Sequence, residues 1–194
     1  MFRYLATIII LIGLISCKAR QKTLKLDEAQ QSQNISLDFP YDVLGYWEGQ
    51  LEIYGVDSLL QTVPMAVLID ETLDPVVFQW ELIYNPGDQE DRRPYLLLMH
   101  NKERNHYKID EDNGIILDCF LFENKLISTF DVGGTLLTTM NTFLEDDMVF
   151  EVIAGPIEII NTTGDMKVNE NVIPPVNSYQ TKTYQRAVLK RIRG

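Results

Sequence analysis

His100 and His106 are the only histidines of the 194 residues, six positions apart across a turn that also carries Glu103. Imidazole nitrogens beside a carboxylate are donors a divalent metal takes, but a tetrahedral site needs further ligands in evident relation to them. None stands near, so no metal site is expected. Cys119 sits mid-strand in Ile116-Leu117-Asp118-Cys119-Phe120, where a thiol serves as a small apolar filler. Ser58 and Ser128 lack the Gly-x-Ser-x-Gly elbow that activates a hydroxyl. The acids Glu145-Asp146-Asp147 and those from Asp88 to Asp91 fall in turn-like stretches, where carboxylates are solvated rather than catalytic. Asp110-x-Asp112-Asn113-Gly114 matches half of a calcium loop, yet the downstream acid is missing and both flanks read as strands. A hairpin is expected there instead, with Asn113-Gly114 at the two positive-φ positions of a type I′ turn. No catalytic residue and no cofactor emerges, and the chain is expected not to be an enzyme.

The elements that would position these residues are strands. From Leu44 to Tyr54, Trp47, Gly49, Leu51 and Ile53 share one side while Glu48, Gln50 and Glu52 share the other. Side chains of period two define a half-buried strand. Further extended segments follow at Gln61–Ile69, Val76–Tyr84, Pro94–His100, Arg104–Asp110, Ile115–Phe122, Lys125–Val132, Leu136–Leu144, Met148–Ala154 and Thr181–Ile192. Turn formers separate them, among them Asp74-Pro75, Asn85-Pro86-Gly87-Asp88, Glu123-Asn124 and Gly133-Gly134. The expectation is an all-β fold, an antiparallel up-and-down barrel of about eight to ten strands whose closure removes exposed edges. Phe78, Trp80, Leu82 and Tyr84 share one face of their strand, whereas neither face of Leu136–Leu144 is clearly wet. A barrel with some polar residues inside has this signature. Candidate ligand-lining residues are Met65, Phe78, Trp80, Phe130 and Met140. Between Gly155 and Gln180 the alternation lapses, with Pro174-Pro175 the firmest break, and that stretch is read either as a lid over one barrel end or as a plain crossover loop.

Arg3 precedes an almost wholly apolar run, Leu5 to Ile15, which is too short to span a bilayer of roughly 30 Å and has the layout of a secretory signal. Leu14-Ile15-Ser16-Cys17 resembles a bacterial lipobox, which implies acylation of Cys17 and removal of residues 1–16. Acyl chains anchor by roughly 0.8 kcal/mol per buried methylene without a spanning helix. Lys18 in place of Asp after the cysteine favours the outer membrane. Residues 17–42, rich in Gln, Ser, Asn and Lys, are expected to form a lipidated flexible tether, and residues 43–194 a single barrel domain. Without Arg3 the chain carries 28 acids against 16 bases, a net charge of 16 − 28 = −12. Nucleic acid is an unsuitable partner for that balance. The bases Lys18, Arg20, Lys22 and Lys25 stand next to the anchor, either beside anionic headgroups or as part of a solvated tether. With Cys17 acylated, Cys119 has no partner for a disulfide, so a hydrophobic core must hold the fold.

Gly45-x-Trp47 opening the first barrel strand, many hairpin strands and a basic last strand together resemble the lipocalin and fatty-acid-binding superfamily. More broadly, Leu44 to Ile153 plus the closing strand look like lipocalin-like lipoproteins of bacterial envelopes, with Asp57-Ser58-Leu59-Leu60-Gln61 and Tyr184-Gln185-Arg186-Ala187-Val188-Leu189 as the likeness. The resemblance implies that Trp47 plugs the barrel floor and that an arginine of the last strand, Arg186 or Arg191, packs across its indole; Arg186 is taken for the role. It brings no catalytic residue with it. A haem barrel of the nitrobindin type takes its iron on a histidine late in the barrel, and this chain has none after His106. The reading is a membrane-anchored envelope barrel that binds a small hydrophobic or amphipathic ligand without catalysis, with a filled barrel serving structure or protein interaction as the alternative.

Overall fold

The computed structural model describes residues 37–87 and 89–193. The signal segment 1–16, Cys17, the bases at 18, 20, 22 and 25, and most of the tether lie outside the described residues, as does Asp88.

Ten antiparallel strands close a barrel: β1 (Gly45–Tyr54), β2 (Leu59–Glu71), β3 (Val77–Tyr84), β4 (Asp91–Asn101), β5 (His106–Asp110), β6 (Ile116–Phe122), β7 (Lys125–Val132), β8 (Thr135–Phe143), β9 (Asp147–Pro156) and β14 (Thr183–Ile192). Each of β1 to β8 pairs with its successor, β9 then pairs with β14, and β14 pairs with β1 to shut the ring. This is the all-β, up-and-down barrel expected from the alternation. Successive short hairpins need only turn chemistry at each end, and the ring leaves no edge strand unpaired.

One parity rule orders the interior. Trp47 pairs with Val67 on β2 and with Arg191 on β14, and Leu51 pairs with Val63 and Ala187, so odd-numbered residues of all three strands share the inner face. The same register carries round to Leu82 and Trp80 of β3, Leu97 of β4, Ile109 of β5, Cys119 of β6, Ser128 of β7, Asn141 of β8 and Phe150 of β9.

The ends of the barrel differ. At one end the chain preceding β1 folds into the ring: Phe39 is buried against Tyr107 (4.8 Å between centroids, edge-on) and Phe143 (5.4 Å). Phe39 thus belongs to the core, a correction to the tether boundary at residue 42. A short 3-10 turn, Tyr41–Val43, has no side-chain cap, and two inward side chains take up its backbone carbonyls. Trp47 Nε1 donates to Val43 O at 3.1 Å, and Arg191 donates to Asp42 O at 2.6 Å. A turn otherwise left with orphan acceptors is thereby tied down at the base of the barrel.

Residues 157–182 are not a plain loop. They form two small antiparallel pairs, β10 (Ile159–Thr163) with β13 (Val176–Tyr179) and β11 (Met166–Val168) with β12 (Asn171–Ile173), every residue of which is exposed. At the base of this arm the chain crosses so closely that a Cβ on Gly155 would lie 1.8 Å from Gln180 O. The hairpin at 110–115 also departs from expectation: positive φ falls on Asp112 (54°) and Gly114 (93°), not on Asn113, and Glu111 N donates to Ile115 O at 3.0 Å. Asn113 Oδ1 instead accepts from Ile115 N at 2.9 Å, so its side chain makes the turn contact that a two-residue loop would have left to backbone.

Candidate functional site

The site is built by inward residues above the plugged end. They enclose a chamber of about 260 Å³ between β3 and β9, which opens at the opposite end of the barrel. Much of its wall is apolar: Trp80 and Leu82 from β3, Ile109 from β5, Leu117 from β6, Leu126 and Phe130 from β7, Leu137 from β8, and Phe150 and Val152 from β9. A polar strip interrupts it on adjoining strands, formed by Cys119, Ser128, Thr139 and Asn141. Ser128 and Thr139 are direct cross-strand partners, and Asn141 stands between Leu126 and Phe150. The rim carries Tyr84, Arg93, Tyr95, Glu111 and Gln185.

The polar groups differ in how well they are satisfied. Ser128 Oγ donates to Asp118 O at 2.7 Å, and Cys119 Sγ lies 3.6 Å from Leu117 O. Burial pushes the Cys119 thiol up to about 11, so it is a neutral wall group and not a thiolate nucleophile at neutral pH. Asn141 is only 6% exposed, and its Oδ1 has no hydrogen-bond partner. An orphan acceptor of this kind costs about 1–3 kcal/mol. At the rim Arg93 pairs with Asp91 at 3.2 Å and lies over the Tyr84 ring at 5.1 Å. Burial raises the Tyr84 phenol, so the rim tyrosine stays neutral over the ordinary pH range.

Among the expected lining residues, Trp80 and Phe130 do line the chamber. Phe78 points inward but is fully buried under it, edge-on to Tyr41 at 5.4 Å. Met65 also points inward and is fully buried in the packed core beside Gly49. Met140 is a correction: it pairs with Ile127 and Glu151 on the outward parity of β8, and its neighbour Asn141 faces the chamber instead. Thr139, Asn141 and Gln185 were missed because a polar residue at an inward position breaks the very alternation used to find strands.

The arginine over Trp47 is Arg191, 4.3 Å from Cζ to the ring centroid, not Arg186. Arg186 is even-numbered on β14 and therefore faces outward, between Glu52 and Glu151. Gly45 has φ of +139°, a conformation that disfavours any L side chain, although a Cβ there would only touch the Arg191 methylenes, at 3.7 Å. The motif's glycine and its arginine thus share one contact.

His100 and His106 also meet, but outside the barrel. Their rings are 4.6 Å apart and edge-on, His106 stacks on Phe120, and its Nε2 lies 2.7 Å from Asp118 Oδ1. Among the described residues no group of three or more His, Cys, Asp or Glu side chains has metal-binding geometry.

No protein-family model and no curated protein matches the chain. Solved structures do. An S-type phycobiliprotein lyase from Guillardia theta superposes with a TM-score of 0.51 at 9% identity, over 79% of this chain and 90% of the lyase. A protein of unknown function from the DUF3598 family of Nostoc punctiforme gives a TM-score of 0.50 at 11% identity, over 78% of this chain and 48% of that one. The expectation that the chain is not an enzyme is corrected by this finding, since a barrel of the same fold is a lyase. It had rested on missing motifs, and a barrel can work on a molecule it encloses without any of the spacings that mark hydrolases. At these identities the likeness establishes the fold, and the fold is lipocalin-like.

Proposed function

We propose that this barrel takes up a small hydrophobic or amphipathic molecule through its open end, as cargo or as substrate. The observation that carries the reading is the chamber itself: space of about 260 Å³ walled by apolar and aromatic side chains from several strands, next to a fully packed end. Burial of apolar ligand surface there contributes roughly 25 cal/mol per Å². A barrel serving only as a structural or protein-interaction module has no use for such a space, and the chamber weighs against that alternative. The lyase with the same fold supports a reading in which the enclosed molecule is acted upon.

For the cellular setting, we infer from Leu14-Ile15-Ser16-Cys17 a bacterial lipoprotein anchored through Cys17, with Lys18 favouring the outer membrane. Native mass spectrometry of protein purified from its own envelope tests the binding reading, with a copurifying small molecule as the expected result. A Cys17→Ser variant is expected in the soluble fraction; complete retention with membranes would overturn the anchor.

A further inference from the structure

The wall of the chamber has a hydrogen-bonding sign. Asn141 lines it from β8 and is nine-tenths buried. Its Oδ1 is sealed within the wall, so the end of the amide that can meet a molecule in the chamber is Nδ2, which only donates. The polar groups on the adjoining strand pair, Ser128 and Cys119, are turned to backbone carbonyls of β6, which leaves Nδ2 to whatever fills the space. Thr139, the next inward residue of β8 toward the mouth, carries a hydroxyl that gives or accepts and so imposes no sign. A molecule that displaces water from Asn141 must therefore bring an acceptor oxygen or leave the donor orphaned.

Charge decides which kind of acceptor fits. Among the described residues lining the chamber, Arg93 is the sole cation and Glu111 the sole acid, and both stand at the rim. Arg93 is already matched by Asp91, and its side chain is 50% exposed, so water screens what remains of its field. A carboxylate lowered to Asn141 would exchange its hydration shell for one neutral donor among Leu126 and Phe150. A carboxylate left at the rim would instead lay its apolar tail over Nδ2. A neutral carbonyl oxygen avoids both losses.

Resting on the binding reading, we propose that the chamber selects a neutral, mostly apolar molecule bearing a carbonyl oxygen, seated carbonyl end first against Asn141 Nδ2, and discriminates against carboxylates. Three probes of one skeleton test this by equilibrium dialysis: 2-acetylnaphthalene, which carries the carbonyl; 2-isopropenylnaphthalene, which replaces its oxygen with a methylene; and 2-naphthoate, which replaces the methyl ketone with a carboxylate. The ketone is expected to bind at one site and at least tenfold more tightly than the carboxylate. Asn141→Leu keeps the volume but removes the donor. In that variant the ratio of ketone to alkene affinity is expected to fall about tenfold, the scale of one buried hydrogen bond. Reading the ratio in both proteins cancels the difference in apolar surface between the two probes.

Binding of 2-naphthoate as tight as that of the ketone, or tighter, would overturn the neutral class while leaving the binding reading intact. An unchanged or raised ratio in Asn141→Leu would overturn the role of Asn141; if that variant does not fold, Asn141→Ala is read in the same way. Failure of all three probes to bind the native protein, with nothing copurifying, would sink the binding reading itself.

Discussion

The two ends of this barrel use the same inward parity for opposite purposes. At the closed end, inward positions carry Trp47, Tyr107, Phe143, Met148 and Leu189, all buried, and the preceding chain inserts Phe39 and Val43 among them. At the open end, inward positions carry Thr139, Asn141, Tyr84 and Gln185, and the side chains leave a space. The difference teaches that closure of a sheet fixes where side chains point but not whether they meet. One end spends its apolar side chains on packing and the other leaves them facing a cavity, so close packing and open space are separated along one axis.

The largest test of that separation is Trp47→Ala. Losing the indole removes the floor, its bond to Val43 O and the surface under Arg191, and is expected to cost about 3–5 kcal/mol in urea unfolding. A loss below about 1 kcal/mol would show that the closed end is not where stability resides.

Adding volume sharpens the contrast. Leu51→Trp, in the packed core, is expected to cost about 1–3 kcal/mol, whereas Thr139→Phe, pointing into the chamber, should cost little stability and abolish probe binding. Comparable destabilisation by both would mean that the chamber is not open space in solution.

Arg191→Ala is expected to lose about 2 kcal/mol, since a partly desolvated cation over the indole and a hydrogen bond to Asp42 O vanish together. Arg186→Ala, at the outward position beside Glu52 and Glu151, is expected to change stability by under about 1 kcal/mol.

The smallest effect concerns Cys119. Its thiol is raised from 9.0 to about 11 by burial, so the folded protein holds that proton where the unfolded chain has released it. The sign follows: stability from this group is complete below pH 9 and declines as pH rises toward 11. Iodoacetamide is expected to leave Cys119 unmodified in the native protein near pH 8 and to label it on unfolding; rapid native labelling at that pH would show an accessible chamber wall with an unshifted thiol.

Much of the barrel was legible because alternation is the direct imprint of a sheet with one dry face. The segment Lys125–Val132 and the even-numbered set Phe78, Trp80, Leu82, Tyr84 show it plainly, and so do Trp80 and Phe130 at the chamber wall. The arm at 157–182 was illegible because its strands have no dry face, and without burial there is no pattern to read. Met140 was misplaced for a related reason: most of β8 is half-buried on both faces, so composition alone could not choose its parity. The choice between Arg186 and Arg191 was not legible, because both sides of that strand carry apolar residues: Ala187 and Leu189, buried on the side of Arg191, alternate with Val188 and Ile192, exposed on the side of Arg186. Asn141 was the hardest to find, because a polar side chain at an inward position contradicts the folding pattern around it.

The seam between β1 and β14 joins the first strand of the barrel to its last, from Tyr46 opposite Ile192 to Tyr54 opposite Tyr184. Synthesis delivers these partners at opposite times, so the barrel remains an open curl until β14 is made, and a truncation before residue 183 would yield a ring that never latches.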